Sequence, residues 1–248
     1  MLKEKLDQVE SRIAGAAARA GRPRSSILLV AVTKKFPAAT IQEAYALGLR
    51  DFGENYLQEF EAKRAELDAC PGARYHFIGH LQSNKTKKAA EIFDVIHTVD
   101  SAKIARRLDD EPLAYARGFV APIPSHDREG VVAGPGVNPT PGIDVLIEVK
   151  LSTEPAKAGA DPGEVPALVE AIRGCAHLRL LGLMTMPPWS EDAEKSRPYF
   201  ARLREIAGRN GLSHLSMGMS HDLEVAIEEG ATIVRVGTAL FGPRNKNV

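Results

Sequence analysis

Lys34 and Lys35 stand one residue beyond the apolar run Ile27-Leu28-Leu29-Val30-Ala31-Val32, separated from it by Thr33. A run of that length and content reads as a buried strand. Side chains alternate along a strand, so Val30, Val32 and Lys34 share one face and Lys35 takes the other. A lysine amine delivered to such a strand end can be partly stripped of water, which makes it a nucleophile toward an aldehyde. The competing reading is a pair of solvated loop charges, the ordinary condition of lysine.

Near the other end of the chain, two further strand ends carry groups suited to an anion. Ser220, in Met219-Ser220-His221-Asp222, stands where it would cap the next helix, and a hydroxyl with free backbone N–H groups can hold phosphate. Gly237 and Thr238, in Arg235-Val236-Gly237-Thr238, offer close backbone approach and a second hydroxyl. Arg235 sits in an otherwise apolar strand and must find an acceptor, because its charge cannot be shed. Helix capping, a tight turn and a structural ion pair would each explain one of these residues alone. Taken together with Lys34, they describe a covalent anchor and a phosphate grip.

These residues can meet only if the strands that carry them are neighbours. Short apolar runs occur at 27–32, 50–53, 76–79, 95–99, 145–149, 180–186, 214–219 and 232–236. Helical patterns fall between them, at 38–47, 54–67, 85–92, 101–117, 162–175, 191–210 and 222–229. An amphipathic helix with Leu2, Leu6, Val9 and Ile13 on one face precedes the series. Strict alternation predicts a parallel sheet, and eight units close into a single-domain (β/α)8 TIM-type barrel with an extra N-terminal helix. A doubly wound open sheet is the alternative. In a barrel, functional groups sit where strands run out into the following loops, which is where Lys34, Ser220 and Gly237 lie. The stretch 118–142 interrupts the pattern with Pro122, Pro124, Pro135, Pro139 and Pro141 among many glycines, and is expected to be a mobile surface insertion.

Composition removes several function classes. The 248 residues carry 32 basic and 32 acidic side chains, so no global field draws the chain to nucleic acid or to an anionic membrane. Cys70 and Cys175 form no CxxC pair, which argues against a disulfide scaffold or zinc ribbon and fits the reducing cytoplasm. No run of about 18 apolar residues exists to span a membrane. His76 and His80 straddle a strand end and lack metal-ligand spacing. Gly134-Pro135-Gly136 lacks the third glycine of a dinucleotide fingerprint, and Lys85, Lys87 and Lys88 read as a solvated helix face. Without a heptad pattern or an exposed apolar stripe, a monomer is expected.

Six strings carry a resemblance: Ala31-Val32-Thr33-Lys34, Phe52-Gly53-Glu54-Asn55-Tyr56, the segment 76–85 that begins His76-Phe77-Ile78-Gly79, Gly182-Leu183-Met184-Thr185-Met186, Ser216-Met217-Gly218-Met219-Ser220-His221-Asp222, and Arg235-Val236-Gly237-Thr238. Each lies at the end of an expected strand. Together, and over nearly the whole chain, they resemble the pyridoxal phosphate homeostasis protein family.

The resemblance implies that Lys34 holds pyridoxal 5′-phosphate (PLP) as a Schiff base and that Ser220, Gly237 and Thr238 grip its phosphate. It further implies that Arg235 approaches the pyridine nitrogen and that Asn55 and Met217 lie beside the cofactor. Lys157 matches another family lysine. An arginine at that nitrogen disfavours its protonation, which leaves the ring a weaker electron sink. Amino-acid racemases with a similar barrel add a second domain and a catalytic tyrosine; here Tyr56 is the nearest tyrosine, and it reads as a packing residue. The expected function is therefore a carrier of PLP in vitamin B6 homeostasis, with no catalytic residue of its own and with apo PLP-dependent enzymes as candidate recipients. The alternatives are a small PLP-dependent racemase and a Schiff-base aldolase acting on a phosphorylated sugar.

Overall fold

Eight short strands pair in parallel: β1 (Leu28–Val32), β2 (Asp51–Glu54), β3 (Arg74–Phe77), β4 (Val95–Val99), β5 (Ile143–Glu148), β6 (Leu178–Met184), β7 (His214–Ser216) and β8 (Ile233–Val236). They follow one another in sequence order around a closed barrel. The seam is the β1–β8 pair, with Leu28 opposite Ile233 and Val30 opposite Arg235. The expected single-domain barrel is thus present, and the open sheet is not. The computed structural model describes residues 1–110, 142–152, 154 and 158–243.

After each strand comes a helix: α2 (Ala38–Ala46), α3 (Leu57–Arg64), α4 (Thr86–Ile92), α5 (Ala102–Asp109), α6 (Val165–Arg173), α7 (Arg197–Arg209), α8 (Leu223–Glu228) and α9 (Thr238–Phe241). The N-terminal helix α1 (Leu2–Arg19) buries Leu2, Leu6, Val9, Ile13, Ala16 and Ala17, the stripe its spacing predicts, and packs on α8 and α9. Two apolar layers result from strand alternation. Leu29, Ala31, Phe52, Ile96, Val145, Ile147 and Val234 face the helices in the main core. Val30, Val95, Leu146, Met184 and Ile233 form a smaller plug inside the barrel.

Several boundaries differ from the sequence reading. The helix expected from residue 54 starts at Leu57, because Glu54 pairs with Phe77 as the last residue of β2. The long helix expected at 191–210 is a 3-10 turn at Ala193–Ser196 followed by α7, whose first turn carries a proline, Pro198. In α3 the buried residues are Leu57, Phe60 and Lys63. The insertion expected at 118–142 lies, apart from Gly142, outside the described residues, as does Lys157. Among the described residues, no helix is long and apolar enough to cross a membrane.

Candidate functional site

The turn after β1 separates the two lysines. Lys34, on the inward face, is half-buried, while Lys35 is exposed and adopts a left-handed backbone with φ of 63°. The Lys35 N–H donates to Glu59 Oε1 at 2.5 Å. Thr33 points outward, toward α3, where its hydroxyl donates to Glu54 Oε1 at 2.7 Å. Beneath them lies Lys63, only 6% exposed. Its ammonium reaches Glu54 at 2.7 Å, Glu59 at 3.0 Å and the carbonyls of Thr33 and Phe36 at 3.2 and 3.0 Å. Burial raises the pKa of the Glu54 carboxyl, with Lys63 and Thr33 working against that rise.

On the other side of the seam, the loops after β7 and β8 are joined by Ser220. Its Oγ accepts the N–H of Gly237 at 3.3 Å and that of Ala239 at 3.1 Å, so it bridges the loops where the sequence suggested a cap for α8. Asp222 holds the N-cap position of α8, and its carboxylate accepts the Met219 N–H at 2.7 Å. Gly218 makes the bend possible: φ is +90°, and a Cβ there would lie 2.5 Å from that of Ala226. Gly237 packs on β1, where a Cβ would meet the Val32 Cβ and carbonyl oxygen at 3.4 Å. Thr238, exposed, opens α9. Arg12, from α1, donates to the Ser220 carbonyl at 2.9 Å and binds Glu224 through two hydrogen bonds of 2.6 and 2.8 Å.

Polar side chains thread the barrel interior. Arg235 Nη1 donates to Ser216 Oγ at 2.7 Å and Nη2 to the Thr185 carbonyl at 3.0 Å. From Ser216 the chain passes to His97 Nδ1 at 2.9 Å, from His97 Nε2 to His76 Nδ1 at 2.9 Å, and from His76 Nε2 to Asp51 at 2.8 Å. Burial, reinforced by the charges of His76 and Arg235, holds His97 well below the usual histidine range, so it is neutral. Burial alone would raise Asp51, yet His76 and Arg74 hold it below the ordinary carboxylate value. For Arg235, burial brings the guanidinium down to about 10, opposed by Asp222 and Glu148. It remains a cation at neutral pH.

Beyond the ends of β2, β3 and β5, a cavity of about 480 Å3 is lined by Asn55, Gly79, His80, Glu148, Lys150 and Ser152, among others. Asn55 Oδ1 and Ser152 Oγ are buried there with no hydrogen-bond partner among the described residues, the state of groups built to meet a ligand. Gly79 lets the end of β3 pass under Asn55, since a Cβ would lie 2.2 Å from the Asn55 carbonyl oxygen. Met217 is fully buried and its side chain belongs to the main apolar core. The seven residues singled out in the sequence therefore fall into three places. Lys34, Ser220, Arg235, Gly237 and Thr238 gather at the C-terminal end of the seam strands, Asn55 lines the adjoining cavity, and Met217 lies below the surface. Tyr56, read as a packing residue, is 48% exposed. Lys63 and the His76–His97–Ser216 chain escaped the sequence reading, because nothing local distinguishes a buried lysine from a solvated one on a short helix.

A family model described as the alanine racemase N-terminal domain matches residues 5–245. A Pseudomonas aeruginosa protein named pyridoxal phosphate homeostasis protein is 44% identical over 246 residues, covering 98% of this chain and 96% of the relative. The chain belongs to that family. Among solved structures, PipY of Synechococcus elongatus PCC7942 with PLP bound is 36% identical with a TM-score of 0.76, over 98% of this chain and all of that one. Alanine racemase from Corynebacterium glutamicum shares the fold, at 17% identity and a TM-score of 0.62 over 96% of this chain and 61% of the racemase. All six strings that carried the resemblance lie at strand ends of this family's barrel, apart from residues beyond Gly79 that enter the next loop.

Proposed function

We propose that this protein binds PLP covalently at Lys34, as a Schiff base, and serves as a carrier in cellular PLP homeostasis, with little or no amino-acid turnover of its own. The observation that carries the reading is the PLP-bound state of PipY, a relative matched over its whole length. The residues present fit the group. The orphan Asn55 amide oxygen, the paired loops of Ser220 and Gly237, and a buried arginine bonded to the neutral acceptors of Ser216 and Thr185 offer a polar contact, an anion grip and a fixed positive charge. When bound, PLP supplies an aldehyde to the lysine and an electron-withdrawing ring. Lys34 would be the residue that holds the group, through its amine.

Ser220, Gly237 and Thr238 would hold the phosphate, Arg235 would face the ring nitrogen, and Asn55 and Met217 would lie beside the ring. A fixed cation at that nitrogen keeps it unprotonated, which weakens the ring as an electron sink and suits storage over catalysis. The monomer and the cytoplasmic setting belong to the same proposal, as does release of PLP to apo enzymes.

Absorption spectra with added PLP, before and after borohydride, followed by mass analysis, test the reading. A visible band fixed by reduction on Lys34, and absent in Lys34→Ala, is expected. Label scattered over surface lysines would discard the covalent site. Rapid racemisation of free amino acids by the purified protein would discard the carrier in favour of the racemase.

A further inference from the structure

The turn that carries Lys34 has little intrinsic reason to hold its shape. It spans Thr33 to Phe36, closed by one backbone bond of 3.1 Å from the Phe36 N–H to the Thr33 carbonyl. It forces Lys35, which is not glycine, to a φ of 63°, a conformation that L side chains adopt at some cost. Lys34 and Lys35 are adjacent amines on opposite sides of this turn, so the geometry of the turn decides which of them faces the barrel mouth.

What fixes the turn lies outside the barrel, between β2 and α3. The Lys63 ammonium donates to both ends of the turn, at the Thr33 and Phe36 carbonyls. Glu54 holds the Thr33 hydroxyl and Lys63 together, and Glu59 holds the Lys35 N–H and Lys63 together. One buried cation and two carboxylates therefore hold the carbonyls of Thr33 and Phe36, the Thr33 hydroxyl and the Lys35 N–H, while the Thr33 N–H is held by the Gly53 carbonyl of β2 at 2.9 Å. An ion cluster with Glu54 fully buried and Lys63 nearly so is expensive to maintain, and apolar residues would fill the space as well. In some proteins a buried polar group of this kind fixes one geometry at a cost in stability.

We propose that Lys63, with Glu54 and Glu59, is a positioning residue that selects Lys34 over Lys35 as the amine presented to the aldehyde. The inference rests on the covalent PLP reading above. It adds that the choice of lysine is made by α3, which touches neither the ring nor the phosphate in that reading.

The test compares wild type, Lys63→Met, Glu59→Gln and the double variant Lys63→Met/Glu54→Gln, each incubated with PLP for increasing times, reduced and mapped by mass spectrometry. Thermal unfolding of the PLP-free proteins is followed in parallel. In Lys63→Met, labelling of Lys34 is expected to slow about ten- to a hundredfold, the usual consequence of a misplaced reactive group, and part of the label to appear on Lys35. The double variant, which removes the uncompensated Glu54 charge, is expected to recover thermal stability without recovering selectivity. If Lys63→Met does not fold, Glu59→Gln, altered at a more exposed partner, must still shift label toward Lys35. Variants that label Lys34 alone at the wild-type rate would overturn the proposal, as would a double variant that regains selectivity together with stability. Wild type that fails to label Lys34 would instead overturn the covalent reading beneath it.

Discussion

Glu148 is 5% exposed on the inner face of β5, and burial pushes its carboxyl up to about 7, with Asp100 adding to the rise and Arg235 opposing it. A group raised above its unfolded value binds more protons in the folded chain between the two. Its contribution to stability is therefore full below about pH 4.5 and is lost as pH rises to about 7. Glu148→Gln should remove that loss. In urea unfolding of the PLP-free protein at pH 5 and pH 8, wild type should lose up to about 3 kcal/mol more than the variant over the interval. Equal slopes would show that Glu148 ionises normally. His97 works in the opposite sense, since a depressed histidine costs stability as pH falls below the usual histidine range, so the difference between the two proteins is the clean quantity. Neither group declared itself in the sequence. Lys34, Ser220, Arg235 and Gly237 were legible because each is a polar or special residue at the edge of an apolar run. Glu148 ends such a run too, but its perturbation comes from burial inside the closed barrel, which no local pattern in the sequence announces.

At the scale of elements, α1 does more than cover the bottom of a core. Its apolar stripe was readable from the spacing of Leu2, Leu6, Val9 and Ile13, but Arg12, on the flank of that stripe, looked like any solvated charge. Its partners come from the far end of the chain: the Ser220 carbonyl and Glu224. The N-terminal helix thus braces the β7–α8 loop proposed to grip phosphate. Arg12→Ala should weaken PLP retention about three- to tenfold, in keeping with the loss of a partly buried ion pair and one charge-assisted hydrogen bond. Label should remain on Lys34, because the turn after β1 keeps its own anchors. Equilibrium dialysis with borohydride mapping separates the two effects, and unchanged retention would reduce Arg12 to a surface contact. One boundary that sequence reading missed, the end of β2, has a plain cause. Glu54 and the residues after it have no apolar pattern to say whether a strand has ended, and only pairing with Phe77 settles it.

For the molecule as a whole, the arrangement of the site along the chain has a thermodynamic consequence. Barrel closure was legible from eight alternating units, and with it the placing of the proposed anchor and phosphate grip across the β1–β8 seam. A ligand that joins Lys34 to the loops after β7 and β8 would tie the first strand to the last, with α1 fastened across the same region. Its binding energy should therefore appear in the global transition and not in the fraying of one loop. With PLP at about a hundred times its dissociation constant, linkage gives about 2.7 kcal/mol, which for a chain of this length raises Tm by roughly 5 to 10 °C. Lys34→Ala should keep the Tm of the PLP-free wild type while losing most of the increment. Hydrogen exchange should then show added protection in both β1 and β8 of the loaded wild type. Protection confined to the Ser220 loop, with Tm unchanged, would mean that PLP rests on the phosphate grip without closing the seam.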